Sequence, residues 1–191
     1  MAAKKIILFI EGEPNSSNGD LRQGFTKLLE QKLTGKLPKI ILGGGKEQTI
    51  DKFLNNRLAG DIFLLLLDLD DAETQRNADL RNHRLESHSE RVFYMIQEME
   101  AWFLSQPEVL DKFYGLDKTG KTVSEKLSKR KAEEIANPKE ELIRITQNPR
   151  EGGRGEYQII KHAVELLKLL DANKLEKDSA DFRKLVQRIV S

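Results

Sequence analysis

The sequence predicts an α/β fold in which a mainly parallel, four-stranded sheet is flanked by helices. The first observation behind this prediction is a run of six large apolar side chains, Ile62 to Leu67. The run is too short to cross a membrane and is typical of a strand buried on both faces of a sheet, as in parallel sheets covered by helices. The second observation is that strand-like and helix-like segments alternate along the first half of the chain, which is typical of right-handed crossovers between parallel strands.

Length and composition predict a single domain. At 191 residues the chain can form one well-packed core but not two full-sized domains. We expect an α/β core over residues 1–115 and a basic loop with a helical extension over residues 116–191, packed on the same core. The net charge is only +1, so any binding to a polyanion must come from a local basic patch. The chain has no cysteine, which excludes thiol chemistry and cysteine-based zinc sites.

The first predicted unit is a strand over Ile6 to Ile10, a turn-rich loop over Pro14 to Gly19, and a helix. The apolar run of the strand is shorter than the core of a signal peptide and ends in an acid, so we expect a cytoplasmic protein without membrane association. Asp20 stands where the helix needs an N-cap. The apolar residues on one face of that helix are Leu21, Phe25, Leu28, Leu29 and Leu33.

Three more strands and several helices follow. Lys39 to Leu42 is a second strand, and three glycines lead from it to a helix expected from about Gln48 to Leu58. After the long apolar strand, Asp71 is expected to cap a charged helix. Val92 to Ile96 forms a fourth apolar strand.

The last third of the sequence predicts helices. Asn137 and Pro138 suit the N-cap and first position of one helix. Apolar residues at helical spacing predict two more helices, over Tyr157 to Leu170 and Ala180 to Val190. Earlier in the chain, Trp102 and Phe103 are expected to lie in the core rather than to stack on nucleic-acid bases.

Acidic residues follow three of the predicted strands. Glu11 comes after the first strand, Asp68 and Asp70 end the third, and Glu98 and Glu100 follow the fourth. The carboxyl ends of parallel strands share one edge of a sheet, where open α/β sheets bind ligands. If the first and third strands are neighbours, Glu11 converges with the two aspartates. Clustered carboxylates need a compensating cation or hydrogen bonds, and Mg²⁺ prefers oxygen ligands.

Other interpretations of these acids stay open at this point. The carboxylates could be solvated or could cap helices. If the fourth strand continued, Glu98 and Glu100 would point the same way, whereas a helix beginning at Gln97 would separate them. Acids in that position would also suit a helix N-terminus, because its dipole favours negative charge.

Two of these motifs resemble those of the Toprim fold. They read IILFIEG at residues 6–12 and FLLLLDLD at residues 63–70. Toprim domains occur in topoisomerases, primases, small RNA-maturation nucleases and overcoming-lysogenization-defect nucleases. The segment VFYMIQEMEAWFLSQPEVLDKFYG at residues 92–115 also resembles a bacterial family of Toprim-like proteins of unknown function.

The resemblance implies a nuclease that uses Mg²⁺ or Mn²⁺ to hydrolyse phosphodiesters of DNA or RNA. Asp68 and Asp70 would bind the metal, and Glu11 would join them as a ligand or carry a proton. Glu98 or Glu100 would support the site or serve a second metal. Such a metal clamps the phosphate and lowers the pKa of a bound water, and a neighbouring carboxylate can move a proton.

The resemblance also implies a second possibility. Related Toprim-like proteins commonly function beside an ATPase, so the chain could be a non-catalytic or partner-dependent subunit of a defence or toxin-like system, for example in phage defence. A phosphohydrolase of the haloacid-dehalogenase type fits less well. Its motif ends the first strand of the fold and is followed by Thr or Val, whereas Asp71 and Ala72 follow here.

Basic residues that could position a nucleic acid lie further along the chain. Between Asp117 and Lys131 they outnumber acids, and cations near a metal site suit a phosphate backbone. The glycine-rich loop up to Gly155 could also present a guanidinium to a phosphate, although a flexible surface loop is the alternative. The candidate contacts are Lys118, Lys121, Lys129, Arg130 and Arg154.

The letters GLDKTGKT at residues 115–122 match a phosphate-loop pattern. The preceding LDKFY predicts a helix rather than the strand that such a loop follows, so a solvated loop is expected here. The sequence does not indicate an oligomeric state.

Overall fold

A computed structural model of the chain describes residues 4–13, 20–56, 60–115, 122–127, 131–147 and 154–191. Within these ranges the strands are β1 (Ile6–Ile10), β2 (Lys39–Leu42), β3 (Ile62–Leu69) and β4 (Val92–Ile96). They form one sheet in the order β2-β1-β3-β4, and every neighbouring pair is parallel. The predicted α/β class and the four predicted strands are therefore confirmed.

The two central strands are β1 and β3. β1 lies between β2 and β3, with Ile10 opposite Leu66. Side chains alternate across β3, so Leu64 contributes to the apolar cluster on one face of the sheet and Leu65 to the cluster on the other. Each face is covered by helices, which explains why β3 is apolar throughout rather than at alternate positions.

Helices of the first half connect the strands. They are α1 (Leu21–Glu30), α2 (Lys46–Leu54) and α3 (Arg76–Asn82). The Asp20 carboxylate accepts a hydrogen bond from the Arg22 amide, so the predicted N-cap of α1 is confirmed. The helix expected over Gln48 to Leu58 instead begins at Lys46 and ends at Leu54, because Gly45 has an extended backbone and lets the helix begin directly after the glycines.

Asp71 is not the N-cap that we predicted. A short 3-10 turn, Glu73–Gln75, precedes α3, and its N-cap is Ala72 in an extended conformation. The Asp71 carboxylate accepts the amide of Ala72, which lies outside that turn. The Asp71 carboxylate therefore stabilises the loop after β3. The N-termini of the 3-10 turn and of α3 have no side-chain cap hydrogen bond.

The second half of the described chain is helical after β4. Its helices are α4 (Glu100–Leu104), α5 (Pro107–Tyr114), α6 (Val123–Lys126), α7 (Pro138–Thr146), α8 (Ile159–Leu169), α9 (Ala172–Asp178) and α10 (Ala180–Val190). The bounds of α10 match the prediction, and α7 begins at Pro138 behind Asn137, although the Asn137 side chain makes no cap hydrogen bond. α8 begins after Tyr157 rather than at it.

The C-terminal helices and one face of the sheet share an apolar cluster. α8 packs on α1, and α10 packs on β4. Trp102 and Phe103 are 1% and 0% exposed, which confirms that they belong to the core. The Trp102 ring contacts those of Phe25 from α1 and Phe182 from α10. Across the described ranges, no helix combines the length and apolar character needed to cross a bilayer.

Gly24 allows the close contact between α1 and α8, and this contact can be tested. A Cβ at Gly24 would lie 2.8 Å from the Leu167 Cβ and 3.1 Å from the Val164 carbonyl oxygen. We expect Gly24→Ala to lower the free energy of unfolding by about 1–3 kcal/mol, because overpacking outweighs the better helix propensity of alanine. Chemical denaturation measures this change.

The matched control is Lys27→Ala on the exposed side of α1. Lys27 forms an ion pair with Glu30 on the surface, so its loss should change the free energy of unfolding by less than about 1 kcal/mol. Equal effects of the two substitutions would contradict the packing of α1 on α8.

Candidate active site

Glu11 and Asp68 meet at the carboxyl edge of the sheet. β1 and β3 are neighbours, and the Glu11 amide extends their ladder by donating to the Leu66 carbonyl at 3.1 Å. The Glu11 side chain then turns across the edge, where its Oε2 accepts the Asp68 amide at 3.2 Å. The predicted convergence of these two residues, which are far apart in the sequence, is confirmed.

Two glycines hold the loop that carries Glu11. Gly12 and Gly44 exchange both backbone hydrogen bonds, at 2.8 and 3.0 Å, and so join the loops after β1 and β2. Their φ angles are 144° and 94°, which side chains of L-residues rarely allow. A Cβ at Gly12 would also lie 2.9 Å from the Leu21 Cδ1. Glycine is therefore required at the residue after Glu11.

Asp68 has the least favourable electrostatic environment in the cluster. It lies within β3 opposite Met95, and its Oδ1 is buried with no hydrogen-bond partner among the residues that the structure describes. Burial raises the pKa of Asp68 well above its ordinary value. The neighbouring negative charges of Glu11, Glu100 and two further acids raise this pKa further.

Asp70 lies beyond the end of β3 and pairs with a lysine. Its Oδ2 accepts the Lys46 ammonium at 2.9 Å, and the same ammonium lies 3.7 Å from Asp79 Oδ1. Burial opposes the positive charge of Lys46, but these carboxylates and Glu11 keep its pKa above the ordinary value. Burial also raises the pKa of Glu11, and the Lys46 charge partly offsets that rise.

Lys46 is a site residue that the sequence analysis missed. It is the first residue of α2 and follows Gly43 to Gly45, which leave the sheet at the end of β2. A basic residue that directly follows a parallel strand and its glycine loop is expected at the same edge of the sheet as the acids. The position of Lys46 after β2 could therefore have been used to predict it as a site residue.

The chain turns sharply between β4 and α4. β4 ends at Ile96, and the next two residues, Gln97 and Glu98, have φ angles of 60° and 78°. Left-handed backbone at two consecutive non-glycine residues is uncommon and is found mainly at functional sites. The strand does not continue and no helix begins at Gln97, but Glu100 is the first residue of α4, so the alternative of an acid at a helix N-terminus is confirmed for Glu100.

Glu100 is buried beside the cluster and is held by a tyrosine. It is 3% exposed, and its Oε1 accepts the Tyr157 hydroxyl at 2.8 Å. Burial raises the pKa of Glu100, and this hydrogen bond opposes the rise. Tyr157 is fixed in turn, because its amide donates to the Thr146 hydroxyl at 2.8 Å. From the sequence, Tyr157 was only the expected start of a helix.

Glu98 also belongs to the acidic edge. Burial raises its pKa, and the charges of Glu100 and Asp70 raise it further, whereas Lys139 lowers it. The structure therefore brings together all five acids that were predicted from the sequence. They are Glu11, Asp68, Asp70, Glu98 and Glu100.

The residue types at this edge fit a hard divalent cation, but the side chains do not form a complete ligand set. Carboxylate oxygens suit Mg²⁺ or Mn²⁺, and the unpartnered Oδ1 of Asp68 is a suitable ligand atom. However, no group of three or more acids or histidines in the described ranges is arranged to hold a metal ion. Asp70 is paired with Lys46, and Glu11 accepts the Asp68 amide.

A cavity of about 290 Å³ lies over Glu11 and Asp68. Backbone of Gly12, Gly44 and Gly45 contributes to one side. The apolar residues of the lining are Leu21, Met95, Met99, Ile159, Ile160 and Val164. The cavity is thus lined by both carboxylates and apolar side chains.

The predicted nucleic-acid contacts are mostly beyond what the structure describes. Lys118, Lys121, Lys129 and Arg130 lie outside the described residues. Arg154 is described, and its guanidinium stacks on the Phe113 ring at 4.2 Å rather than contacting Glu11 or Asp68.

Comparison with known proteins gives a family but no activity. A family model described as "Domain of unknown function (DUF4276)" matches residues 12–190. The chain belongs to the DUF4276 family. No curated protein and no solved structure matches this DUF4276 protein.

The raised pKa of Asp68 predicts how stability depends on pH. The folded protein binds the Asp68 proton more tightly than the unfolded chain does. The free energy of unfolding therefore falls as pH rises from about 4, the aspartate pKa in the unfolded chain, through the raised pKa of the folded state. Asp68→Asn removes this dependence. Above that window we expect the variant to be more stable by roughly 1–3 kcal/mol.

Thermal unfolding between pH 4 and pH 8 in metal-free buffer measures the difference, with about 2–4 °C expected for each kcal/mol. The gain should shrink toward acid pH. Asp71→Asn is the control, because Asp71 is exposed in the loop that follows β3. A gain of Asp68→Asn that is constant with pH would contradict the assignment.

Proposed function

We propose that this protein is a Toprim-like, metal-dependent phosphodiesterase that cleaves DNA or RNA. One observation supports the proposal most strongly. Glu11 and Asp68 reach each other from neighbouring parallel strands, and Asp68 presents a buried carboxylate oxygen that has no partner among the described residues. A buried carboxylate oxygen without a partner costs free energy, and no ion pair within the described residues compensates this cost at Asp68 Oδ1. A bound cation would compensate it.

Glu11, Asp68 and Asp70 would hold Mg²⁺ or Mn²⁺ in this proposal. The bound ion would polarise a phosphodiester, activate a water and offset the charge that develops on the phosphoryl oxygens. Asp70 becomes available when it leaves Lys46. The freed ammonium then stays at the same edge, where its positive charge can neutralise a substrate phosphate.

The remaining acids have supporting roles. Burial brings the pKa of Glu11 closer to neutral pH, which suits a group that exchanges a proton with water or with a leaving oxygen. Tyr157 orients Glu100 beside Asp68, so Glu100 stays in one position while charges change around it. Contacts of the polymer with Lys118, Lys121, Lys129, Arg130 and Arg154 stay predictions of the sequence.

A second candidate function is favoured by the ion pair of Lys46. The Lys46 ammonium pairs with Asp70 and also lowers the pKa of Glu11, so it partly neutralises the clustered carboxylates without a metal ion. In this reading the chain is a partner-dependent or non-catalytic subunit that works with an ATPase in a defence or toxin-like system. The acidic edge would then bind metal only when the partner moves Lys46 or Asp70.

Nuclease assays test the first candidate. Asp68→Asn and Glu11→Gln should each reduce Mn²⁺-dependent cleavage of single-stranded or duplex substrates by about 100-fold or more, because each removes a charge from the reacting centre. Asp71→Asn should cleave at the rate of the unchanged protein. Unchanged cleavage by Asp68→Asn would exclude the assignment.

Calorimetric titration with Mn²⁺ separates the two candidates. If Lys46 competes with the metal for Asp70, Lys46→Met should tighten Mn²⁺ binding by about tenfold, equivalent to about 1.4 kcal/mol. Lys27→Met, which removes a surface lysine of α1, should not alter binding. Absence of Mn²⁺ binding by both the unchanged protein and Lys46→Met would contradict the first candidate and favour the partner-dependent one.

A further inference from the structure

The Lys46 ammonium pairs with two carboxylates that differ in exposure. It donates to Asp70 Oδ2 at 2.9 Å and lies 3.7 Å from Asp79 Oδ1. The Asp70 side chain is 62% exposed, whereas those of Asp79 and Lys46 are 13% and 17% exposed. Asp70 can therefore change its rotamer through solvent, whereas Asp79 is enclosed by its neighbours.

Asp79 is anchored to the core of the protein. It lies on α3, and its Oδ2 accepts the Tyr94 hydroxyl at 2.7 Å. Tyr94 belongs to β4 and is 0% exposed, and the Arg76 guanidinium lies over its ring at 4.9 Å from the centroid. The hydrogen bond from Tyr94 uses one carboxylate oxygen of Asp79 and fixes the position of the other, Oδ1.

The position of Asp79 Oδ1 suits a closer contact with Lys46. His83 Nδ1 lies 3.4 Å from this oxygen, but it is nearer to the Asp79 carbonyl oxygen, at 2.9 Å. The ring of His83 therefore bonds to the backbone of α3 in preference to the carboxylate. A shift of the ammonium by about 1 Å would bring Lys46 to the distance of a charge-assisted hydrogen bond with Oδ1.

We propose, on the basis of the metal site proposed above, that Asp79 is a positioning residue for Lys46. When Asp70 turns to a bound Mg²⁺ or Mn²⁺, the Lys46 ammonium moves from Asp70 to Asp79 Oδ1. This exchange of partners lets Asp70 leave without creating an unpaired ammonium in a partly buried position, which is costly. It also keeps the ammonium at the edge of the sheet, where it can meet a substrate phosphate.

Calorimetric titration with Mn²⁺ tests the exchange. Asp79→Asn keeps an acceptor for the Tyr94 hydroxyl but removes the charge that receives Lys46. Lys46 should then stay on Asp70, and Mn²⁺ should bind about tenfold more weakly. In a Lys46→Met background, Asp79→Asn should change Mn²⁺ affinity by less than about twofold. An equal loss in both backgrounds would overturn the proposal, because a general electrostatic or structural effect of Asp79 does not require Lys46.

Glu47→Gln is the matched control for the loss of one negative charge. Glu47 is the next residue of α2, its side chain is 78% exposed, and its Oε1 lies 3.1 Å from His83 Nε2. Its substitution should change Mn²⁺ affinity by less than about twofold, and an effect as large as that of Asp79→Asn would contradict the proposal. Asp79→Ser serves the same test if circular dichroism shows that Asp79→Asn does not fold.

A double-mutant cycle in metal-free buffer tests the exchange without metal binding. Chemical denaturation measures the coupling between Lys46 and Asp79 as a ratio of unfolding constants. We expect this coupling to rise by a factor of about three or more in an Asp70→Asn background, because Lys46 then pairs with Asp79. An unchanged coupling would overturn the role of Asp79. If Mn²⁺ binds to none of these proteins, the proposed metal site is wrong, whereas this cycle still decides whether Lys46 changes its partner.

Discussion

Mutual repulsion among five carboxylates at one edge of the sheet is the constraint on which the candidate site depends. Glu11, Glu98, Glu100 and Asp70 all raise the pKa of Asp68, which is also buried. Within the described ranges, the Lys46 ammonium donates a hydrogen bond to this group, and its acceptor is Asp70 rather than Asp68. Negative charge concentrated in this way does not stabilise a fold. It is typical of a site that is completed by a ligand of opposite charge.

The sheet provides the stability that such a site requires. β1 and β3 are central and apolar on both faces, so the edge that carries the acids is anchored in buried strands. The backbone at that edge is also unusual. Gly12 and Gly44 join two loops through positive φ angles, and Gln97 and Glu98 adopt left-handed conformations before α4. Of the three non-glycine residues with positive φ in the described ranges, two therefore lie where the acids converge.

Sequence patterns predicted what depends on local chemistry and strand order. The four strands, the Asp20 cap and the bounds of α10 follow from apolar periodicity and capping, and the meeting of Glu11 with Asp68 follows from parallel pairing. Contacts set by side-chain rotamers and by helix packing could not be predicted. The Lys46 ion pair depends on where α2 begins, and the Tyr157 hydrogen bond joins Glu100 to a residue 57 positions later. Asp71 was assigned wrongly because the extended Ala72 separates it from the next helical turn.

The paired glycines after β1 and β2 have an evolutionary consequence. Because Gly12 and Gly44 bind each other through both amides and both carbonyls, neither loop can lengthen or change conformation without altering the other. Related proteins that keep an acid at the position of Glu11 should therefore keep or lose the two glycines together. Insertions should accumulate elsewhere on the molecular surface, so the two loops would evolve as one unit.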